Sequence, residues 1–246
     1  MDWSKRAVTR VEARLGIEAR AGVWPDVVPA VAQVLREGLD LPSGVTFLVG
    51  ENGSGKSTLT EAVAEAFGLN PEGGTPNARH VTAHERSDLA GRIRLHRSPG
   101  GSRWGFFLRA ETMHGFYSYL DDVDKENSRA PSPMHERSHG ESFLELLHRS
   151  FTRDGFYVLD EPEAALSFSG SLQLLRVLHE ITQQGRAQVL CATHSPLLAA
   201  LPGATILQLD DDGFHHVEWA DLELVGHWRS YLGDPQRYLR HLLTPE

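Results

Sequence analysis

GENGSGKST, residues 50–58, decides how the rest of this chain is read. Gly50, Gly55, Lys56 and Ser57 have the spacing of a P-loop, in which backbone N–H groups wrap a β-phosphate, the lysine reaches the β/γ oxygens and the serine takes Mg²⁺. Glu51, Asn52, Gly53, Ser54 and Thr58 complete the candidate phosphate cradle. The lysine is informative in itself: Lys5, Lys56 and Lys125 are the only lysines, against 21 arginines. A phosphate loop needs a compact ammonium at that position rather than a planar guanidinium. The flanks agree, since the apolar run Val45–Val49 predicts a strand entering the loop, and Leu59, Val63, Ala66 and Phe67 have helical spacing leaving it.

With 246 residues, 40% of them hydrophobic, the chain can bury one α/β core with decorations. A net charge of −9 argues against constitutive, non-specific nucleic-acid binding. The single cysteine, Cys191, excludes an internal disulfide and reads as a small buried residue in an apolar run. No apolar stretch reaches membrane-spanning length and the N-terminus has no signal-like apolar segment, which points to a cytoplasmic protein with no membrane segment.

Along the chain, residues 1–20 show weak helical spacing, and Val27, Val28, Val31, Val34 and Leu35 predict a short helix between Pro25 and Pro42. The helix after the P-loop is expected to end near Gly68, followed by a turn-rich loop over 70–77. Short strands are expected at 92–97 and 104–110, on either side of a turn at Gly100 and Gly101. Residues 121–137 read as a polar connection. Beyond it, helices near 140–150, 169–184 and from 196 alternate with strands at 156–160, 187–192 and 204–209, which predicts a mostly parallel sheet covered on both faces. Residues 210–213 predict a hairpin turn and the tail an amphipathic helix. The expectation is one domain over 1–246: a core of about 40–70 and 150–210, an inserted lobe of about 71–150 and a helical tail of about 219–246.

Three further stretches carry chemistry. GFYVLDEPEAALS, residues 155–167, ends an apolar strand in Asp160 and Glu161. A carboxylate at a strand end beside a P-loop suits the Mg²⁺ shell, so Asp160 is the metal-side candidate, and Glu161 is the candidate to orient the attacking water. SHGES, residues 138–142, has the S-x-x-E capping box of a helix start, and a capped N-terminus with a glycine beside it also presents N–H groups to an anion. LCATHSP, residues 190–196, ends a core strand in Thr193 and His194, on the rim where a phosphate oxygen is the natural partner.

In this order the motifs resemble those of the ABC-type ATPases, and more closely the small stand-alone members grouped with the AAA-family ATPases, over about residues 44–209. GENGSGKST resembles their Walker A motif, SHGES the signature, VLDEP the Walker B motif with its catalytic glutamate, EAALS the D-loop, and THSP the switch-histidine loop. The resemblance implies an α/β P-loop NTPase fold, an ABC-type nucleotide-binding domain with a mostly parallel core sheet, a small antiparallel β-lobe and a helical insertion. It implies ATP and Mg²⁺ as ligands, Glu161 and His194 as catalytic residues, and an ATP-dependent head-to-tail homodimer. In such a dimer each ATP lies between Lys56 of one subunit and Ser138 and Gly140 of the other. The signature departs from the usual leucine, serine, glycine, glycine, glutamine, since Arg137, Ser138, His139, Gly140 and Glu141 stand there. No glutamine occurs between Thr58 and Arg137, so Glu111, after the strand in FFLRAET, stands in as the candidate for the family's Q-loop residue near Mg²⁺.

Residues 84–103 hold Arg86, Arg92, Arg94, Arg97 and Arg103 against two acids. An ordinary solvated β-lobe is the favoured reading and a nucleic-acid face the alternative, because no aromatic residues interleave as a stacking platform. His80 with His84, and His135 with His139, have i,i+4 spacing but lack the partners of a zinc set. A Walker A motif also serves P-loop kinases and ATP-dependent scaffolds with little turnover; the Asp160–Glu161 pair with the SHGES and THSP elements favours hydrolysis, coupled to an unidentified protein partner.

Overall fold

The computed structural model describes residues 6–70, 87–109, 151, 153–185 and 187–243. Its centre is a sheet of order β5-β6-β7-β3-β8-β9, built from β3 (Gly44–Gly50), β5 (Gly105–Arg109), β6 (Gly155–Asp160), β7 (Ala187–Thr193), β8 (Thr205–Asp210) and β9 (Gly213–His216). Of these only β9 runs antiparallel, returning from β8 through the turn at 210–213. The strands read as continuous apolar runs because both faces of the sheet are covered. On β3, Leu48 packs against one cluster and Val45, Phe47 and Val49 against the other. The first face carries α1 (Pro29–Glu37) and α2 (Lys56–Phe67). The second carries α4 (Phe168–Gln183), α5 (Pro196–Ala199) and the start of α6 (Glu223–Gly233); α7 (Pro235–Leu243) closes the tail.

Beside the core lies a second sheet, β2-β1-β4, formed antiparallel by β1 (Arg10–Ala13), β2 (Leu39–Asp40) and β4 (Ile93–His96), with the short α3 (Leu89–Arg92) leading into β4. This corrects the reading of the first twenty residues. Their spacing is weakly helical, yet Val11 faces the core and Arg10–Ala13 pair along their whole length with Ile93–His96, so long-range pairing overrides local pattern. The residues flanking the turn at 100 and 101 go to different sheets: β4 to this small one and β5 to the edge of the core beside β6. The helix expected near 140–150 and the loop at 70–77 lie outside the described residues, except for Asn70. Cys191 is fully buried on β7, and burial pushes its thiol well up, as a packed rather than reactive residue requires.

Candidate active site

The sheet order decides the site. With β3 between β7 and β8, and β6 next to β7, the carboxyl ends of three adjacent strands bring the P-loop, His194 and the Asp160–Glu161 pair to one rim.

Gly50 ends β3, and a Cβ there would come within 2.3 Å of the Leu209 carbonyl oxygen, so only glycine lets the chain turn off the strand against β8. Gly55 caps α2 with φ +96°, and a Cβ would also strike Val28 at 2.6 Å. That geometry aims the first N–H groups of α2 outward, where an anion meets orphan donors and the positive end of the helix. Lys56 is only 3% exposed and its Nζ donates to the Glu51 carbonyl at 2.9 Å. Burial lowers the ammonium's pKa, while Glu161, Asp160, Glu51 and Glu163 oppose that shift by their charge.

Asp160 ends β6 at 5% exposure. Burial pushes its carboxyl up to about 6, against the pull of Arg109 and a hydrogen bond from Ser57. Thr60 Oγ1 donates to Asp160 Oδ1 at 3.3 Å, and Arg109, paired with Asp160 in register across β5 and β6, sets its Nε 3.6 Å from Oδ2. The Ser57 hydroxyl and Asp160 carboxylate thus meet at one point, two hard oxygen donors beside the phosphate cradle. This suits Mg²⁺, which takes few protein ligands and completes its shell with phosphate and water.

Glu161 is the one non-glycine residue among those described with positive φ (φ 48°, ψ 50°). Its N–H donates to the Ala192 carbonyl at 3.0 Å, fixing the end of β6 to β7. Held this way, its carboxylate oxygen stands 3.1 Å from His194 Nε2, though the two are not aligned as a hydrogen bond. Strain of this kind persists where the surroundings over-determine it, commonly at functional sites.

Of the expected site residues, Gly50 to Thr58, Asp160, Glu161 and His194 come together; Glu111, Ser138 and Gly140 lie outside the described residues, as do the four paired histidines. Three neighbours escaped the sequence reading: Thr60, Arg109 and Glu163. Thr60 was open to detection, being one turn after Lys56 on the same helix face. Arg109 was not, because its place beside Asp160 depends on sheet order.

On the β8 side of the loop lies a cavity of about 410 Å³ bordered by Glu51, Asp210, Asp211 and Glu223. Residues 50–54 line the same cavity, so it adjoins the candidate phosphate cradle. Three of the arginines of 84–103 are occupied within the chain: Arg92 pairs with Asp26 and Arg94 with Glu12, while Arg97 lies 4.2 Å over the Phe67 ring. Among the described residues no group of three or more histidine, cysteine or acidic side chains could hold a metal ion, and no helix is long and apolar enough to cross a membrane.

Residues 45–145 match the family described as "AAA domain, putative AbiEii toxin, Type IV TA system". The chain is 28% identical over 183 residues to the ribose import ATP-binding protein RbsA of Roseobacter denitrificans, and 26% identical over 181 residues to that of a Jannaschia species. Each match covers 65% of this chain and 35% of the relative, so the chain spans about a third of the length of the curated relatives it matches. A solved structure, "An inward-facing conformation of a putative metal-chelate type ABC transporter", is similar in fold with a TM-score of 0.51 and 17% identity, covering 92% of this chain and 88% of that one. A parallel sheet with the P-loop and strand-end residues on one rim, ATP-binding relatives and an AAA-domain match point the same way: the chain is similar to ABC-type ATPase domains.

Proposed function

We propose that the chain binds ATP with Mg²⁺ and hydrolyses it to ADP and phosphate, working through ATP-dependent head-to-tail pairing of two copies. The observation that carries hydrolysis is the parallel pairing of β6 with β7 to their carboxyl ends, which sets the Glu161 carboxylate 3.1 Å from His194 beside a buried Lys56. The α2 N-terminus and Lys56 hold the phosphates, and Ser57 and Asp160 would hold Mg²⁺, which neutralises charge on the phosphate oxygens. Glu161 polarises a water as general base, and His194 donates toward the oxygen on which charge develops. Ser138 and Gly140 of the second copy close the site, and Glu111 reaches the Mg²⁺ shell. The whole chain acts as one unit with residues 71–150 inserted in it, and an unidentified protein partner receives the motion.

Glu161→Gln tests this reading. It keeps shape and hydrogen bonding while removing most of the basicity, so phosphate release should fall by about 10²- to 10⁴-fold with ATP affinity retained. ATP then stays trapped, and light scattering should find dimer only with ATP and Mg²⁺. Wild-type turnover in this variant would reject Glu161 as base; persistent monomer under saturating ATP would reject the pairing. Appearance of the γ-phosphate on a small acceptor, with none released free, would make the chain a kinase.

A further inference from the structure

We propose that Glu163 is a positioning residue for hydrolysis: it fixes the loop that carries His194 and so holds the imidazole against Glu161. The inference rests on the roles of Glu161 and His194 proposed above.

Glu163 sits in the 3-10 turn Pro162–Ala165 that directly follows Glu161, so its backbone is anchored to the end of β6. Its Oε1 accepts from the Thr193 hydroxyl at 2.6 Å and from the His194 backbone N–H at 2.6 Å. Thr193 Oγ1 in turn accepts from the Ser195 N–H at 2.9 Å. One carboxylate oxygen therefore restrains Thr193, His194 and Ser195, the first two directly and the third through a hydroxyl. The restraint crosses another: Glu161 is held to β7 through the Ala192 carbonyl, while the end of β7 is held to the turn after β6 through Glu163. Base and histidine are each fixed to the other's strand, which sets their separation more firmly than either strand end alone.

The chemistry suits a carboxyl-type acceptor. Thr193 is wholly buried, so without Glu163 its hydroxyl loses an acceptor that water cannot replace. Both bonds are short and end on the same oxygen. The other oxygen, Oε2, is buried and makes no hydrogen bond. The local bonding therefore requires one acceptor at the reach of glutamate, and it does not require the second oxygen or the charge. Glutamine supplies that acceptor without the charge. Aspartate supplies the charge without the reach.

This contrast is the experiment. In the full chain, Glu163→Ala and Glu163→Asp should leave ATP affinity by calorimetry within about threefold while kcat falls on the order of 10²-fold, the usual effect of misplacing a reacting group by about 1 Å. Hydrogen–deuterium exchange of the peptide spanning 193–195 should become faster in both. Glu163→Gln should keep the slow exchange and hold kcat within about tenfold of wild type. Wild-type exchange in the alanine or aspartate variant overturns the proposal. So does wild-type kcat in either, or a glutamine variant as impaired as alanine. A wild-type chain that releases no phosphate, with exchange faster in the two variants, overturns the hydrolysis reading and leaves Glu163 as the residue that fixes the loop. Should alanine fail to fold, aspartate and glutamine carry the comparison.

Discussion

A lysine ammonium that is 3% exposed keeps its charge only if something compensates its burial. At Lys56 four acids and a carbonyl offset part of the burial, which still lowers the ammonium's pKa, and the side chain lies within the candidate phosphate cradle. Lys56→Ala removes the charge and its hydrogen bonds together. Hydrogen bonds to charged groups contribute about 1.5–3 kcal/mol, so ATP affinity should fall roughly 10- to 150-fold by calorimetry. Unchanged affinity would refute the P-loop reading. At this scale the sequence was highly legible where the chemistry is local. The glycines, Lys56 and Ser57 are neighbours in the chain, and their spacing alone carries their roles. Glu163 was legible only as the first residue of the EAALS stretch. Its donors, Thr193 and His194, arrive 30 and 31 residues later through strand pairing that no local pattern encodes.

Between residues and the whole molecule stand the elements, and here one buried charge cluster sets where α1 begins. Asp26, its side chain wholly buried, receives Arg92 Nη2 at 2.7 Å and Arg20 Nη2 at 3.2 Å, and so ties the segment before α1 to the start of β4. Two residues on, Val28 packs against the P-loop at Gly55. A stretch that composition marks as a basic patch is thus a clasp behind the phosphate loop. The sequence reading, which favoured a solvated β-lobe over a nucleic-acid face, could not foresee this pairing, because composition counts arginines and cannot see Asp26, 66 residues away. Removing one partner of a buried pair strands the other, so Asp26→Asn should destabilise the fold by about 3–5 kcal/mol near neutral pH in urea melts. The pH dependence has a definite sign. Arg92 above all, then Arg20, holds the Asp26 carboxyl well below its usual range despite burial. The stabilisation is therefore complete above about pH 4 and is lost as pH falls toward the depressed value. The gap between wild type and variant should narrow from pH 7 to pH 3. A constant gap would mean that Asp26 acts by shape alone.

At the scale of the molecule, the alternation of strands and helices after residue 155 foretold the parallel core, because β6, β7 and the middle of β8 are buried, mainly apolar runs. The order of strands was not legible, nor was the separation of β4 from β5, since both depend on which partner wins a long-range pairing. That order has a consequence for assembly. It places the P-loop and the ends of the strands that carry Asp160, Glu161 and His194 on one rim. In the proposed dimer the rest of the enclosure comes from Ser138 and Gly140 of a second copy, which makes each site the joint property of two chains. Two inactive variants then ought to rescue one another. Lys56→Ala retains a normal signature segment, and Ser138→Arg retains a normal P-loop but places a bulky cation where the opposing phosphates belong. A mixed dimer contains one site with Lys56 from the second variant facing Ser138 from the first, and one site with both lesions. If pairing is random, half of the dimers are mixed and each has one working site of two, so phosphate release should recover to about a quarter of wild type in an equimolar mixture. Recovery should depend on the concentration of both chains and disappear when Glu161→Gln is added to the Ser138→Arg chain, because the working site uses that chain's base. No recovery on mixing, with both variants folded and Ser138→Arg still binding ATP, would show that each chain hydrolyses alone or that the signature lies elsewhere in the sequence. Appreciable activity in Ser138→Arg by itself would separate those outcomes in favour of a self-sufficient monomer.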